Sequence, residues 1–209
     1  MPGTRIGASS VAICALLFVV WLSAEVVRGG TAGFDENVRA MVHEHASPVL
    51  TGAMRAFTFI GSPPVLWPLV ALAAFLLWRA GWMRDAMTLG VCMLGALGLE
   101  IGLKLWIHRA RPAPFFGLAA PESYSYPSGH AMFSLCFCGS LAWLLARRVL
   151  VRQKGILIWS AAMGFIFMIG FSRVYLGVHY PSDVIGGYAV GLLWTAIMIG
   201  CHELRWARP

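Results

Sequence analysis

Charge is what this sequence has least of. Asp, Glu, Lys and Arg make up 12% of its 209 residues, where a soluble domain carries about 25%. That is too little to cover a globular surface, and 59% of the residues are hydrophobic, so a water-soluble domain is excluded. The sixteen Lys and Arg outnumber the nine Asp and Glu, for a net charge of +7. Most of the basic residues edge apolar runs, and there is no basic stripe with interleaved aromatics, which argues against a nucleic-acid partner. Cysteine is sparse and odd in number: Cys14, Cys92, Cys136, Cys138 and Cys201 all lie inside apolar segments without ligand-like neighbours. A disulfide framework or a zinc site is therefore not expected, and packing between helices is. The sole asparagine, Asn37, stands outside any N-x-[ST] sequon. Long repeats, low-complexity tails and a second domain are also missing, so residues 1–209 read as one domain.

What the chain has is long apolar runs. A helix needs about 20 mostly apolar residues to cross the hydrocarbon core. Six segments qualify or nearly do: Ser9–Val27, Pro63–Trp78, Ala86–Ile107, His130–Ala146, Gly155–Tyr175 and Val184–Cys201. The expected fold is all-α, a polytopic bundle of six transmembrane helices. Pro63, Pro64 and Pro68 in the second segment suit a helix entrance. Arg5, Arg79, Arg84, Arg147, Arg148, Arg152, Lys154, Arg205 and Arg208 fall on one side of a six-span chain. The positive-inside rule makes that side, and both termini, cytoplasmic. A cleaved signal peptide is the alternative for the first segment, but Leu22-Ser23-Ala24 places a large residue where a small one is wanted. Residues Arg28–Ser62 are mixed in character and read either as one or two interfacial amphipathic helices or as a solvated linker. His43 and His45 read as surface residues, and the spacing of Gly187 and Gly191 as helix packing.

Three polar clusters remain, all at the outer ends of spans. In the first, Glu100, Lys104, His108 and Arg111 follow one helical face out of the third span, and Arg111 precedes Pro112. Ionisable groups at such depth are costly and face polar cavities. Snorkelling explains Arg109, and can explain His108, but fits the deeper Lys104 poorly. The second cluster is Pro127-Ser128-Gly129-His130, at a helix N-terminus where free N–H groups favour an anion. Ser128 can cap the helix or bond the anion, and Gly129 permits close approach. The third cluster is Ser172-Arg173 through His179 to Asp183. Pro181 starts a helix, which places Asp183 in its first turn, able to reach back to His179. A histidine held by a carboxylate suits a nucleophile or base, though Asp183 could simply cap its helix.

Together the clusters bring Lys104, Arg111 and Arg173 toward one place, and guanidinium forks suit phosphate oxygens. Phosphoryl transfer needs charge stabilisation and in-line positioning above all; one histidine can attack and a second can protonate the leaving oxygen. Apart from Asp183, no carboxylate is expected beside them, which suits a two-metal site poorly.

The three clusters resemble the signature of the type 2 phosphatidic acid phosphatase (PAP2) superfamily, K-x6-RP, PSGH and SR-x5-H-x3-D. They match it in order and without departure at Lys104…Arg111-Pro112, Pro127–His130 and Ser172-Arg173…His179…Asp183. The resemblance runs from about the second span to the end, with the motif core over about residues 86–201. It implies a compact six-helix membrane bundle with an outward-facing site. In it His179 forms a phosphohistidine, Asp183 supports His179, and His130 is the general acid. Lys104, Arg111, Ser128, Gly129 and Arg173 hold the phosphate, with no cofactor and no metal. The expected substrate is a lipid phosphate or diphosphate in a bacterial inner membrane. Undecaprenyl diphosphate ranks first, ahead of phosphatidate and phosphatidylglycerophosphate, because the chain is small, its loops short and its site outward. A non-catalytic lipid-phosphate binder or transporter is the alternative, and it predicts loss of a catalytic histidine that is in fact present. The sequence leaves the oligomeric state open.

Overall fold

The computed structural model describes residues 2–119 and 121–206, with side chains between Ser10 and Leu204. Those of Arg5 and Arg205, and Arg208 as a whole, lie outside the described residues. Eight helices and no strands are present among the described residues: α1 (Pro2–Arg28), α2 (Ala32–Glu44), α3 (Pro48–Ile60), α4 (Pro63–Arg79), α5 (Met83–Ile107), α6 (Gly129–Ala146), α7 (Arg152–Tyr175) and α8 (Pro181–Trp206). Helix α6 contains a π-helical turn over Leu135–Gly139. Five helices are long and apolar enough to cross a membrane, namely α1, α5, α6, α7 and α8. The expected second span is different in kind. Helix α4 has 17 residues, about 25 Å of rise, short of the ~30 Å hydrocarbon core. It qualifies only together with α3, from which it is bent by 51° at the Gly61–Ser62 break. Pro63 and Pro64 enforce the break, since neither can donate the hydrogen bond that would continue α3.

Large apolar side chains such as Leu17, Trp21, Leu72, Phe75, Leu157 and Phe167 point outward from these helices. In water such a surface would aggregate; in lipid it is the solvent-facing one. The protein is a multi-pass membrane protein. Hydrocarbon gives little hydrophobic drive between helices, so close backbone approach must hold the bundle. A Cβ at Gly187 would lie 2.5 Å from the Ser128 carbonyl and 3.1 Å from Ala131 Cβ. Glycine there lets α8 run against the start of α6. Cys92 and Cys136 are buried between helices as expected, but Cys14 and Cys201 lie on the outer surface instead. All five cysteines are free.

Residues Arg28–Ser62 are not a solvated linker. They form α2 and α3, which pack on α7 and α8 because each has an apolar face. Ser47 caps α3 by accepting the Leu50 N–H at 3.3 Å. Arg39 of α2 donates to the Ala113 carbonyl at 2.8 Å and lies over the Phe115 ring, so α2 also pins the irregular stretch between α5 and α6.

The two ends of the bundle differ sharply. Arg79, Arg84, Arg147, Arg148, Arg152 and Lys154 sit where α4, α6, α5 and α7 end or begin. There Asp85 is paired with Arg147 and Arg148. Helix α5 leaves this end and, over 25 residues and about 37 Å of rise, delivers Lys104 to the other.

Candidate active site

Four chain segments meet at that other end: the last turn of α5, the irregular stretch 108–128, the start of α6 and the α7–α8 turn. They enclose a cavity of about 220 Å³ lined by Lys104, Arg111, His130, Arg173 and His179, together with Glu100, Ser123 and Gly129. Every one of the three sequence clusters therefore contributes.

The first cluster is built differently from expectation. Helix α5 stops at Ile107, and His108 takes a left-handed conformation with φ of 51°. Lys104 and Arg111 therefore do not share a helical face. His108 turns outward, exposed, with its ring 4.6 Å from that of Tyr124. Arg111 enters the cavity from the irregular stretch instead. It donates to the Ser123 carbonyl at 2.6 Å, the Val178 carbonyl at 2.8 Å and His179 Nε2 at 2.9 Å. Lys104 is buried, 2.6 Å from Glu100 Oε1 and 3.3 Å from Ser123 Oγ. A carboxylate besides Asp183 thus does stand in the site. It offsets the charge of Lys104, which makes burial of that ammonium tolerable.

The second cluster places Gly129 at the start of α6, against Glu100. Ser128 stands at the N-cap position, yet its hydroxyl makes no capping bond, contrary to one expectation. Ser128 Oγ is buried without a protein partner, as is Arg173 Nε. Arg173 is 9% exposed, and its guanidinium donates to the Thr58 hydroxyl of α3. The ring of His130 hydrogen-bonds the Thr58 backbone.

The third cluster carries the strongest geometry. Pro181 opens α8 with Asp183 in the first turn, as expected. His179 is 2% exposed and Asp183 fully buried. His179 Nδ1 lies 3.4 Å from Asp183 Oδ2, while Nε2 meets Arg111. A guanidinium can only donate, so Nε2 must accept and the ring proton belongs on Nδ1, facing Asp183. The tautomer leaves the Nε2 lone pair facing Arg111, which itself lines the cavity. Burial drives the His179 pKa down to about 4, with Asp183 pushing the other way, so the imidazole is neutral at pH 7. Asp183 Oδ2 also receives the Ser125 hydroxyl at 2.5 Å and the Tyr180 N–H at 2.8 Å.

Sequence reasoning missed Arg109. Its side chain, 15% exposed, does not snorkel: it donates to Asp183 Oδ1 at 2.6 Å and to Asp35 Oδ2 at 2.7 Å. Burial works against its charge, but Asp183 and Asp35 more than compensate and raise its pKa. Arg111 has no such pair, and burial lowers its pKa against the opposing pull of Asp183 and Glu100. Among the described residues no group of three His, Cys, Asp or Glu side chains is placed to hold a metal ion.

Residues 85–207 match the PAP2 superfamily. The chain is 32% identical to phosphatidylglycerophosphatase B of Bacillus subtilis strain 168, over 90% of this chain and 92% of that one. It is 29% identical to undecaprenyl-diphosphatase of Sulfolobus acidocaldarius, over 86% and 84% of the respective chains. The crystal structure of a transmembrane PAP2-type phosphatidylglycerolphosphate phosphatase from Bacillus subtilis superposes with a TM-score of 0.84 at 28% identity, covering 95% of this chain and 98% of that one. With residues from all three signature clusters lining one cavity and the family match extending over more than half its length, the chain belongs to the PAP2 superfamily.

Proposed function

We propose that the protein is a membrane phosphatase that hydrolyses a lipid phosphate or diphosphate through a phosphohistidine on His179. The observation that carries this reading is the setting of His179: neutral, Nδ1–H toward Asp183, Nε2 accepting from an arginine of a cation-lined cavity. Nε2 attacks phosphorus as the bond to the lipid oxygen breaks, and His130 gives that oxygen its proton. Water then attacks the phosphohistidine, with His130 taking the proton back. Lys104, Arg111 and Arg173 stabilise the charge on the three equatorial oxygens. Ser128 Oγ and Arg173 Nε, buried donors without protein partners, gain acceptors in a bound phosphate, and Gly129 lets it approach the α6 N-terminus. The reaction needs no metal: the carboxylate lining the cavity, Glu100, is committed to Lys104.

The cavity is sized for a phosphate group, and the lipid tail stays in the bilayer. Resemblance over nine-tenths of the chain to a phosphatidylglycerophosphatase moves phosphatidylglycerophosphate ahead of undecaprenyl diphosphate, which the sequence alone ranks first. Both termini and the Arg-rich end face the cytoplasm, and the cavity opens on the outer side of a bacterial inner membrane. Phosphate release by the purified protein in detergent from phosphatidylglycerophosphate, phosphatidate and undecaprenyl diphosphate tests this. Release from phosphatidylglycerophosphate, unaffected by excess EDTA and blocked by vanadate, is expected. No release from any of the three, or release abolished by EDTA and restored by magnesium, would overturn the reading.

A further inference from the structure

Asp35 belongs to α2, outside the residues that match the family, and no sequence motif singles it out. It is nonetheless 0% exposed and fully engaged. Its Oδ1 accepts the Ser182 N–H at 2.9 Å, and its Oδ2 accepts the Ser182 hydroxyl at 2.6 Å and Arg109 at 2.7 Å. The same guanidinium holds Asp183 Oδ1 through its other nitrogen at 2.6 Å, and it lies 4.2 Å over the Tyr180 ring. One partly buried arginine is therefore shared by two buried carboxylates, one of which faces His179.

Sharing has an electrostatic consequence. Arg109 and Asp183 alone would sum to zero, leaving Asp183 little to offer the cationic ring that His179 becomes when phosphorylated. With Asp35 the trio carries one net negative charge. Opposite charge close to a buried imidazolium is what stabilises it. Arg109 also fixes Asp183 by Oδ1, so that Oδ2 is the oxygen turned to Nδ1.

We propose that Asp35 is a positioning residue for the reaction: a buried counter-charge that occupies Arg109 and so leaves Asp183 its full negative charge for His179. The proposal rests on the reading of His179 as nucleophile. Asp35 does not line the cavity, so its influence falls on the chemical step and not on substrate binding.

The test is Asp35→Asn in the full-length protein in detergent, assayed with phosphatidylglycerophosphate after monodisperse elution is verified. One charge removed at this range in a protein interior is worth roughly 10- to 100-fold. kcat should fall by that factor with KM essentially unchanged, the split that marks an interaction made in the transition state. Asp35→Asn/Arg109→Gln removes one charge of each sign and restores the net negative trio, so it should turn over faster than Asp35→Asn. A merely structural role predicts that the double variant is no faster. If Asp35→Asn fails to elute as folded protein, Asp35→Glu replaces it. That variant keeps the charge and should stay within roughly tenfold of wild type, whereas a loss of roughly 100-fold would overturn the proposal. Wild-type kcat in Asp35→Asn, or a double variant slower than the single, would also overturn it. His179→Ala is the control: its inactivity beside a fully active Asp35→Asn refutes only the role of Asp35, while an active His179→Ala refutes the nucleophile itself.

Discussion

Replacing Asp183 by Asn changes one atom and should cost nearly all activity. Four donors converge on the two carboxylate oxygens: Arg109 at 2.6 Å, the Ser125 hydroxyl at 2.5 Å, the Tyr180 N–H at 2.8 Å and His179 Nδ1 at 3.4 Å. Asparagine has one acceptor oxygen and an NH2 group. If the NH2 takes the Oδ1 position it meets the Arg109 donor. If it takes the Oδ2 position it meets three donors and turns His179 to the other tautomer. The ring proton then moves to Nε2, against the Arg111 donor, and the lone pair proposed to attack phosphorus is lost. The same carboxylate-to-amide change in a protease triad lowers kcat about 10⁴-fold by this tautomer effect. The His179–Asp183 separation of 3.4 Å is long, so a loss of about 10³–10⁴-fold is expected, or roughly 4–5.5 kcal/mol of barrier. Folding should survive, because Arg109 keeps Asp35. The assay is single-turnover phosphate release from a short-chain lipid phosphate, with monodisperse elution as the folding check. A folded Asp183→Asn enzyme within tenfold of wild type would refute the pairing argument.

Three further outcomes follow from the same geometry. His130→Ala should slow hydrolysis of an alkyl lipid phosphate by roughly 10²–10⁴-fold but partly spare an aryl phosphate whose phenol leaves without a proton; equal losses on both would show that His130 is not the acid. With burial holding the His179 pKa down to about 4, the proposed nucleophile stays unprotonated as pH falls. The acidic limb of kcat/KM, corrected for ionisation of the phosphate ester, should therefore fall near pH 4, and a limb near the ordinary histidine value of about 6.5 would contradict this. In a cysteine-free background, the proposed topology, with the Arg-rich end in the cytoplasm, predicts that Ala119→Cys reacts with an impermeant thiol reagent from outside intact cells and Gln153→Cys does not; the reverse labelling would invert the topology.

Much of the fold and site was legible because membrane physics writes it into single segments. Apolar runs of about 20 residues marked α1, α5, α6, α7 and α8, and Pro181 marked the start that carries Asp183. The gathering of Lys104, Arg111, His130, Arg173 and His179 round one cavity was readable because cations at span ends need a shared polar space. Arg111 was placed on the wrong element because nothing in Trp106-Ile107-His108 announces a helix end. The left-handed residue that ends α5 is His108, not the glycine that usually marks such an end. Arg109 looked like a snorkelling residue because its partners, Asp35 and Asp183, are 74 residues distant on either side. Thr58, which ties Arg173 and His130, belongs to a segment read as interfacial helix or linker. Side-chain pairings across such separations have no periodic signal; only the folded chain reveals them.

The central claim is that phosphate passes through His179, and rapid-quench trapping tests it most directly. Wild-type protein mixed with a ³²P-labelled short-chain lipid phosphate and quenched in base should carry label that is stable to alkali, labile to acid and confined to the peptide containing His179. His130→Ala should accumulate that label from an aryl phosphate, because the base proposed to activate water is gone, and His179→Ala should carry none. Turnover without any trapped label on His179, or label retained in His179→Ala, would contradict the account.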